Sequence, residues 1–143
     1  MKNVNEFYNN SKKFDKPSGL LRGFFNMNLN KDLEKKIAID LGAGVGNDTN
    51  FLINNGFKVT CIDKEKDSEE LILNKIENKD RINIVVDDFE NVKLHKADLI
   101  YSCFSLCFCN PNNIDNLMNE IIENIIPGGY FVRKFSWKKW WLE

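Results

Sequence analysis

Short apolar runs and helically spaced apolar residues alternate along this chain. Lys36-Ile37-Ala38-Ile39, Phe57-Lys58-Val59-Thr60-Cys61-Ile62, Ile82-Asn83-Ile84-Val85-Val86, Ala97-Asp98-Leu99-Ile100-Tyr101 and Tyr130-Phe131-Val132 have the apolar density and length of strands. Helical spacing fills the stretches between them. One stretch follows residue 46 and carries Phe51, Leu52 and Ile53. Another runs from Glu69 to Asn78 through Leu71, Ile72 and Ile76. A third runs from Asn112 to Ile126, with Asn112 or Asn113 as its cap and Ile114, Leu117, Met118, Ile121, Ile122 and Ile125 as its buried stripe. Pro127-Gly128-Gly129 stops it. Ahead of the first strand, Glu6 to Phe14 is predicted as a short helix. Pro17 and Ser18 then open a second helix carrying Leu20, Leu21, Phe24 and Phe25 on one face. The alternation predicts an α/β fold, a doubly wound and mainly parallel sheet of about five strands with helices on both faces. No internal repeat or linker marks a second unit, so residues 1–143 are expected to form a single domain.

The connection after the first strand adds chemistry to this outline. Leu41-Gly42-Ala43-Gly44-Val45-Gly46-Asn47-Asp48-Thr49 spaces its glycines as G-x-G-x-G. Asp40 stands where the first strand runs out, and Asp63 closes the second. Glycine tolerates positive φ and lets a ligand approach the backbone. A dinucleotide turn uses G-x-G-x-x-G and holds a pyrophosphate at the helix N-terminus. Asn47 occupies the place that would complete that pattern, which argues against a nicotinamide-dependent reductase, the competing enzyme reading. S-adenosylmethionine has no pyrophosphate and needs only a tight turn and a close backbone. Its ammonium suits Asp40 and its ribose diol suits Asp63. The separation of Gly42 from Asp63 fits the roughly 20-residue offset of a ribose-binding acid.

These residues resemble motif I of the class I S-adenosylmethionine-dependent methyltransferases. The run from Leu41 to Thr49 is most similar to their small tellurite-resistance and thiopurine-type branch. The resemblance spans about Phe7 to Phe135. It implies a Rossmann-like sheet, S-adenosylmethionine as cofactor and methyl transfer to a small-molecule acceptor. Carried over position by position, it places Asp40, Gly42, Ala43, Gly44, Gly46, Asp63 and Lys64 around the cofactor. In the family, an acid after the third strand accepts from the adenine amino group and the next residue's backbone meets the ring. Asp88 and Phe89 fall there, with Asp87 as the register alternative. The fourth strand runs into Ser102-Cys103-Phe104, expected beside the cofactor's methionine part, where Ser102 and Ser105 suit a small polar edge. Phe104 and Phe108 fit an acceptor pocket and the core equally well. Lys16 reaches the cofactor carboxylate only if an N-terminal helical cap, residues 1–30, folds over the site; a solvated lysine is the competing reading. The sulfonium is already an excellent leaving group, so positioning does much of the work. A thiol, a selenium or tellurium species or an arsenical as acceptor needs no base, and no catalytic residue is nominated.

Charge and cysteine usage narrow the partners. A net charge of −1 gives no global attraction to nucleic acid or anionic membrane. No apolar run is long enough to span a bilayer, and Met1 to Glu6 lacks the apolar stretch of a signal peptide, so the expected location is cytoplasmic. Cys103, Cys107 and Cys109 cluster, Cys61 lies apart, and there is no C-x-x-C pair. With His95 as the one histidine, reduced thiols are expected and no metal site. The resemblance breaks at the C-terminal end. The family's sheet continues past the fifth strand with a helix and an antiparallel strand pair, for which residues 134–143 leave no room. All three tryptophans lie in the Lys/Trp-rich tail, residues 136–143. An open fifth strand invites association. Three outcomes follow: the tail covers the edge, a second copy pairs with it as a homodimer, or the chain binds cofactor with weak activity.

Overall fold

A computed structural model describes residues 16–28, 36–106 and 109–134. The helix expected over Glu6 to Phe14, together with Cys107, Phe108 and the tryptophan tail, lies outside the described residues. Helix α1 (Gly19–Met27) precedes β1 (Ile37–Leu41), α2 (Asn47–Asn54), β2 (Lys58–Asp63) and α3 (Asp67–Lys75). A short 3-10 turn (Lys79–Arg81), β3 (Ile82–Val86), β4 (Ala97–Cys103), α4 (Ile114–Asn124) and β5 (Ile125–Lys134) follow. The strands form one sheet in the order β3-β2-β1-β4-β5, and every pairing is parallel. The chain builds outward from β1 to β3, then crosses back to lay β4 on the other side of β1. This is a Rossmann-like doubly wound sheet. Its reversal leaves a crevice beyond the ends of β1 and β4, the place where such sheets bind ligands.

Strand alternation sends side chains to two cores. Ala38, Val59, Cys61, Leu99 and Tyr101 meet Leu21, Phe24 and Phe25 of α1, Leu52 and Ile53 of α2, and Ile72 of α3. Ile39, Leu41, Ile62 and Ile100 face the other way and meet Leu117 and Ile121 of α4. Leu21, Leu52, Ile72 and Ile121 are fully buried, each worth about 1.5–3 kcal/mol. Ser18 caps α1 by accepting from the Leu21 N–H at 3.2 Å. The same residue docks the helix. Its backbone N–H donates to Asp48 Oδ1 at 2.7 Å, and its hydroxyl bonds the Tyr101 hydroxyl, which donates to Asp48 Oδ2 at 2.8 Å.

Element boundaries differ from the sequence expectation in instructive ways. Strands β1 and β4 run two residues further, to Leu41 and Cys103, because their pairing continues that far. Helix α3 begins at Asp67 and ends at Lys75. Its first turn holds Asp67, Glu69 and Glu70, which favour a helix N-terminus, and Ile76 turns back to extended backbone. Helix α4 is shorter than Asn112–Ile126. Asn113 takes the cap position without a side-chain capping bond, and Ile122 is 63% exposed because one face alone meets the sheet. Residues 125–129 belong to the edge strand instead of ending the helix. Ala97 pairs with Ile125 but Leu99 with Tyr130, so the extra residues bulge around Gly128, whose φ is +81°. Among the described residues β5 pairs with β4 alone.

Candidate functional site

Three left-handed glycines make the turn after β1, each for a separate reason. Gly42 has φ +80°, and a Cβ there would stand 2.2 Å from Ser105 Cβ. Gly46 has φ +87°, and its Cβ would meet Ile72 Cγ1 at 2.9 Å where α2 packs on α3. Gly44 has φ +59°, and a Cβ there would meet nothing within 4 Å. Its open side is space for a ligand. The turn hangs from β2: Gly42 and Ala43 both donate to the Ile62 carbonyl, at 2.7 and 3.2 Å. Asp63 Oδ2 accepts from Gly44 N–H at 2.8 Å and Oδ1 from Glu65 N–H at 2.9 Å. Ser68 Oγ donates to the Gly44 carbonyl at 2.7 Å. Each Asp63 oxygen therefore keeps one acceptor position after its backbone bond is made.

An open cleft of about 660 Å³, part of it continuous with solvent, lies over this turn. Gly42, Gly44, Asp63, Lys64 and Glu65 form its floor and one wall. Asp87, Asp88, Phe89 and Glu90 form the second wall, and Cys103, Phe104, Ser105 and Cys109 the third. In the second wall, Asp87 Oδ1 is engaged by Asp88 N–H at 2.8 Å and Asn91 Nδ2 at 3.0 Å. Those bonds, the Asn91 amide first, hold its carboxyl below the usual range. No hydrogen bond from the described residues reaches the Asp88 carboxylate, whereas Asp87 has one oxygen engaged by two donors. Glu90 straps the second wall to the third. It accepts from Asn110 N–H at 2.7 Å and from Cys109 Sγ at 3.3 Å, and the Asn110 bond first among its contacts lowers its pKa.

The third wall is locked onto β1. Ser102 Oγ lies 2.6 Å from Ser105 Oγ, and Ser105 donates to the Leu41 carbonyl. Phe104 has φ +59°, a conformation bulky residues rarely adopt, and its N–H donates to the Lys134 carbonyl at 2.9 Å. The structure thus brings Gly42, Gly44, Asp63, Lys64, Asp88 and Phe89 together around one cleft. Asp40, Ala43, Gly46 and Ser102 are not in its walls. Ala43 packs against the core of α1–α3, and Gly46 is covered by Ile72. Ser102 is 1% exposed behind Ser105. Ser105 over Gly42, the Glu90 strap and the Ser18–Asp48–Tyr101 junction escape sequence reading, because each joins residues far apart in the chain with no spacing motif.

Asp40 is 1% exposed and sits behind the glycine turn, accepting from Thr49 Oγ1 at 2.7 Å. Burial first, then the nearby Asp48 charge, pushes its pKa from 3.8 to about 8 against the lowering effect of Thr49. The folded chain holds this proton up to about pH 8, whereas the unfolded chain releases it near 3.8. Stability contributed by protonated Asp40 therefore falls as pH rises from about 4 to about 8. Asp40→Asn removes that loss. Between pH 5 and 8, urea unfolding should show the variant gaining on the wild type by about 1.4 kcal/mol per pH unit at most. Parallel pH curves would show instead that Asp40 is ionised in the fold.

Two thiols and a phenol at the site keep their protons at neutral pH. Burial raises the Cys103 thiol and the Tyr101 phenol, and it pushes Cys109 up to about 11. His95 lies outside the cleft walls, exposed, with Nε2 2.9 Å from Thr60 Oγ1. Among the described residues no group of three or more His, Cys, Asp or Glu side chains is placed to hold a metal ion. No helix among them is long and apolar enough to cross a membrane.

Known proteins share both the sequence and the fold of this region. The chain is 28% identical over 108 residues to the carboxy-S-adenosyl-L-methionine synthase of Cronobacter sakazakii, a match covering 69% of this chain and 44% of that one. It superposes on TehB from Haemophilus influenzae with a TM-score of 0.71 and 22% identity, over 86% of this chain and 43% of that one. An S-adenosyl-L-methionine-dependent methyltransferase structure from Methanococcus maripaludis gives a TM-score of 0.62 at 26% identity, over 82% and 58% of the two chains. The chain thus spans less than half the length of the Cronobacter relative. The family profile of tellurite resistance protein TehB matches residues 27–134, which takes in the glycine turn, all three cleft walls and the whole sheet. On that match the chain belongs to the TehB family.

Proposed function

We propose that this chain binds S-adenosylmethionine in the cleft over Gly44 and transfers its methyl group to a small-molecule acceptor. One observation carries the reading: Asp63 is fixed to the Gly44 and Glu65 N–H groups with an unused acceptor position on each oxygen, in a cleft where the side of Gly44 that a Cβ would take is open. That arrangement fits a ribose diol lying against a bare backbone. The flanking walls fit the rest of the nucleoside. Asp88 offers a carboxylate to the adenine amino group, Phe89 supplies apolar surface beside it, and Glu90 holds this wall against the loop after β4. Solved structures on which the chain superposes include coclaurine N-methyltransferase bound to S-adenosylhomocysteine, at 18% identity and a TM-score of 0.68. Asp40 acts from behind the turn, as a buried acid beside Thr49, instead of touching the ligand's ammonium directly.

The bound cofactor supplies an activated methyl group on a sulfonium. The chain's own residues orient it, and alignment alone supplies roughly 7–11 kcal/mol in well-positioned reactions. The acid-lined walls favour a cationic ligand. Cys103, Tyr101 and Cys109 keep their protons, so none of the three is a base, and an acceptor that attacks without early deprotonation fits this site. Free thiols at Cys61, Cys103 and Cys109 agree with a reducing, cytoplasmic setting. Incubation with methyl-labelled cofactor and a panel of thiols, metalloid oxyanions and small-molecule extract tests the reading. Label should appear in a small-molecule product. Binding of cofactor with no transfer to any of them would favour a cofactor-binding domain without turnover.

A further inference from the structure

We infer that Lys134 is the residue that holds the carboxylate of the cofactor's amino-acid tail. The assignment rests on the cofactor reading above and adds a residue to it. The nucleoside end of the cleft is acidic: Asp63, Glu65, Asp87, Asp88 and Glu90 line it, with Lys64 alone among them as a cation. A carboxylate on the same ligand is repelled there and is driven to the opposite end, past Gly42 toward Cys103, Phe104 and Ser105.

Lys134 stands at that opposite end. It pairs with Cys103 in the β4–β5 register. By strand alternation it shares a face with Tyr130 and Val132, which pack against the same core as Cys103. Its ammonium lies 5.1 Å from the centroid of the cleft-lining Phe104 ring. The Phe104 N–H bond to the Lys134 carbonyl fixes the two residues side by side. No carboxylate among the described residues forms an ion pair with Lys134. β5 lies three strand spacings from β2, about 14 Å. An extended nucleoside with an amino-acid tail, together with a lysine side chain, covers that span. Lys16, the residue sequence reasoning offers for this role, is exposed two positions before Ser18, whose N–H donates to Asp48, and the Lys16 variant below sets it against Lys134.

Two ligands that differ in the tail alone test the assignment. S-adenosylhomocysteine carries the amino-acid tail, and 5′-methylthioadenosine is the same thioether nucleoside without it. Both are titrated calorimetrically into the wild type, Lys134→Gln, Lys134→Arg and Lys16→Gln. Lys134→Gln should weaken S-adenosylhomocysteine about fivefold or more and leave 5′-methylthioadenosine within about twofold. Lys134→Arg should retain the wild-type preference, and Lys16→Gln should not alter it. Lys134 is exposed on an edge strand, so unchanged urea midpoints are expected for its variants. Undiminished S-adenosylhomocysteine binding in Lys134→Gln, an equal loss for both ligands, or a tail-specific loss in Lys16→Gln would overturn the assignment. Failure of the wild type to bind either ligand would mark failure of the cofactor reading itself and would take this assignment with it.

Discussion

Asp63→Ala weakens S-adenosylmethionine at least about 100-fold while the protein still folds. The carboxylate does two jobs that alanine cannot do. It holds the glycine turn and the start of the next loop to the end of β2 through Gly44 and Glu65, and in the proposed complex its remaining lone pairs meet the ribose hydroxyls. Two hydrogen bonds to a charged group are worth about 1.5–3 kcal/mol each, and each 1.4 kcal/mol is a factor of ten. The loosened turn adds to that loss. Asp63 lies at the end of β2, outside both apolar cores, so the cost to stability is about 1–3 kcal/mol and the sheet survives. Asp63→Asn should fall between the wild type and Asp63→Ala, because it keeps one oxygen but loses the charge. Calorimetry beside urea unfolding separates the two effects. Equal affinity of Asp63→Ala and the wild type would mean the sugar lies elsewhere.

Gly42→Ala and Gly44→Ala should fail in opposite ways. At Gly42 a methyl group would come within 2.2 Å of Ser105 Cβ and 2.7 Å of its Oγ. Ser105 has little freedom to move, since it is bonded to both Leu41 and Ser102. Overpacking costs about 1–3 kcal/mol and a left-handed alanine adds about 1–2 kcal/mol, so Gly42→Ala loses about 2–5 kcal/mol of stability. At Gly44 the methyl meets nothing, and the left-handed φ alone costs about 1–2 kcal/mol. Its methyl does enter open space at a residue that lines the cleft, so binding should fail while the fold holds. Denaturant midpoints and cofactor titrations on both variants check the contrast. A Gly44→Ala protein that binds normally would remove the open side of Gly44 from the site.

Much of this fold is legible in the sequence because local rules and tertiary context agree. The five apolar runs become the five strands in the order that a doubly wound chain takes, and the helix that Pro17 and Ser18 open runs over Gly19–Met27. The glycine turn and Asp63 are legible as neighbours because consecutive parallel strands bring their ends together, and the structure joins them through the Gly44 N–H bond to Asp63. Asp40 illustrates the limit. Its position at the end of β1 suggests a ligand contact, yet alternation points it into the face where Thr49 and α2 bury it. Ile122 shows the same limit on a helix, since periodicity cannot tell a one-sided stripe from a wider one. The bulge at residues 125–129 depends on the close approach of Gly129 to the Asp98 carbonyl, a contact between strands that no local pattern encodes.

Titration of S-adenosylmethionine into the wild-type protein tests the central claim most directly. The account predicts a saturable one-to-one heat that S-adenosylhomocysteine displaces. An absence of heat from protein shown by its cooperative urea transition to be folded would contradict it.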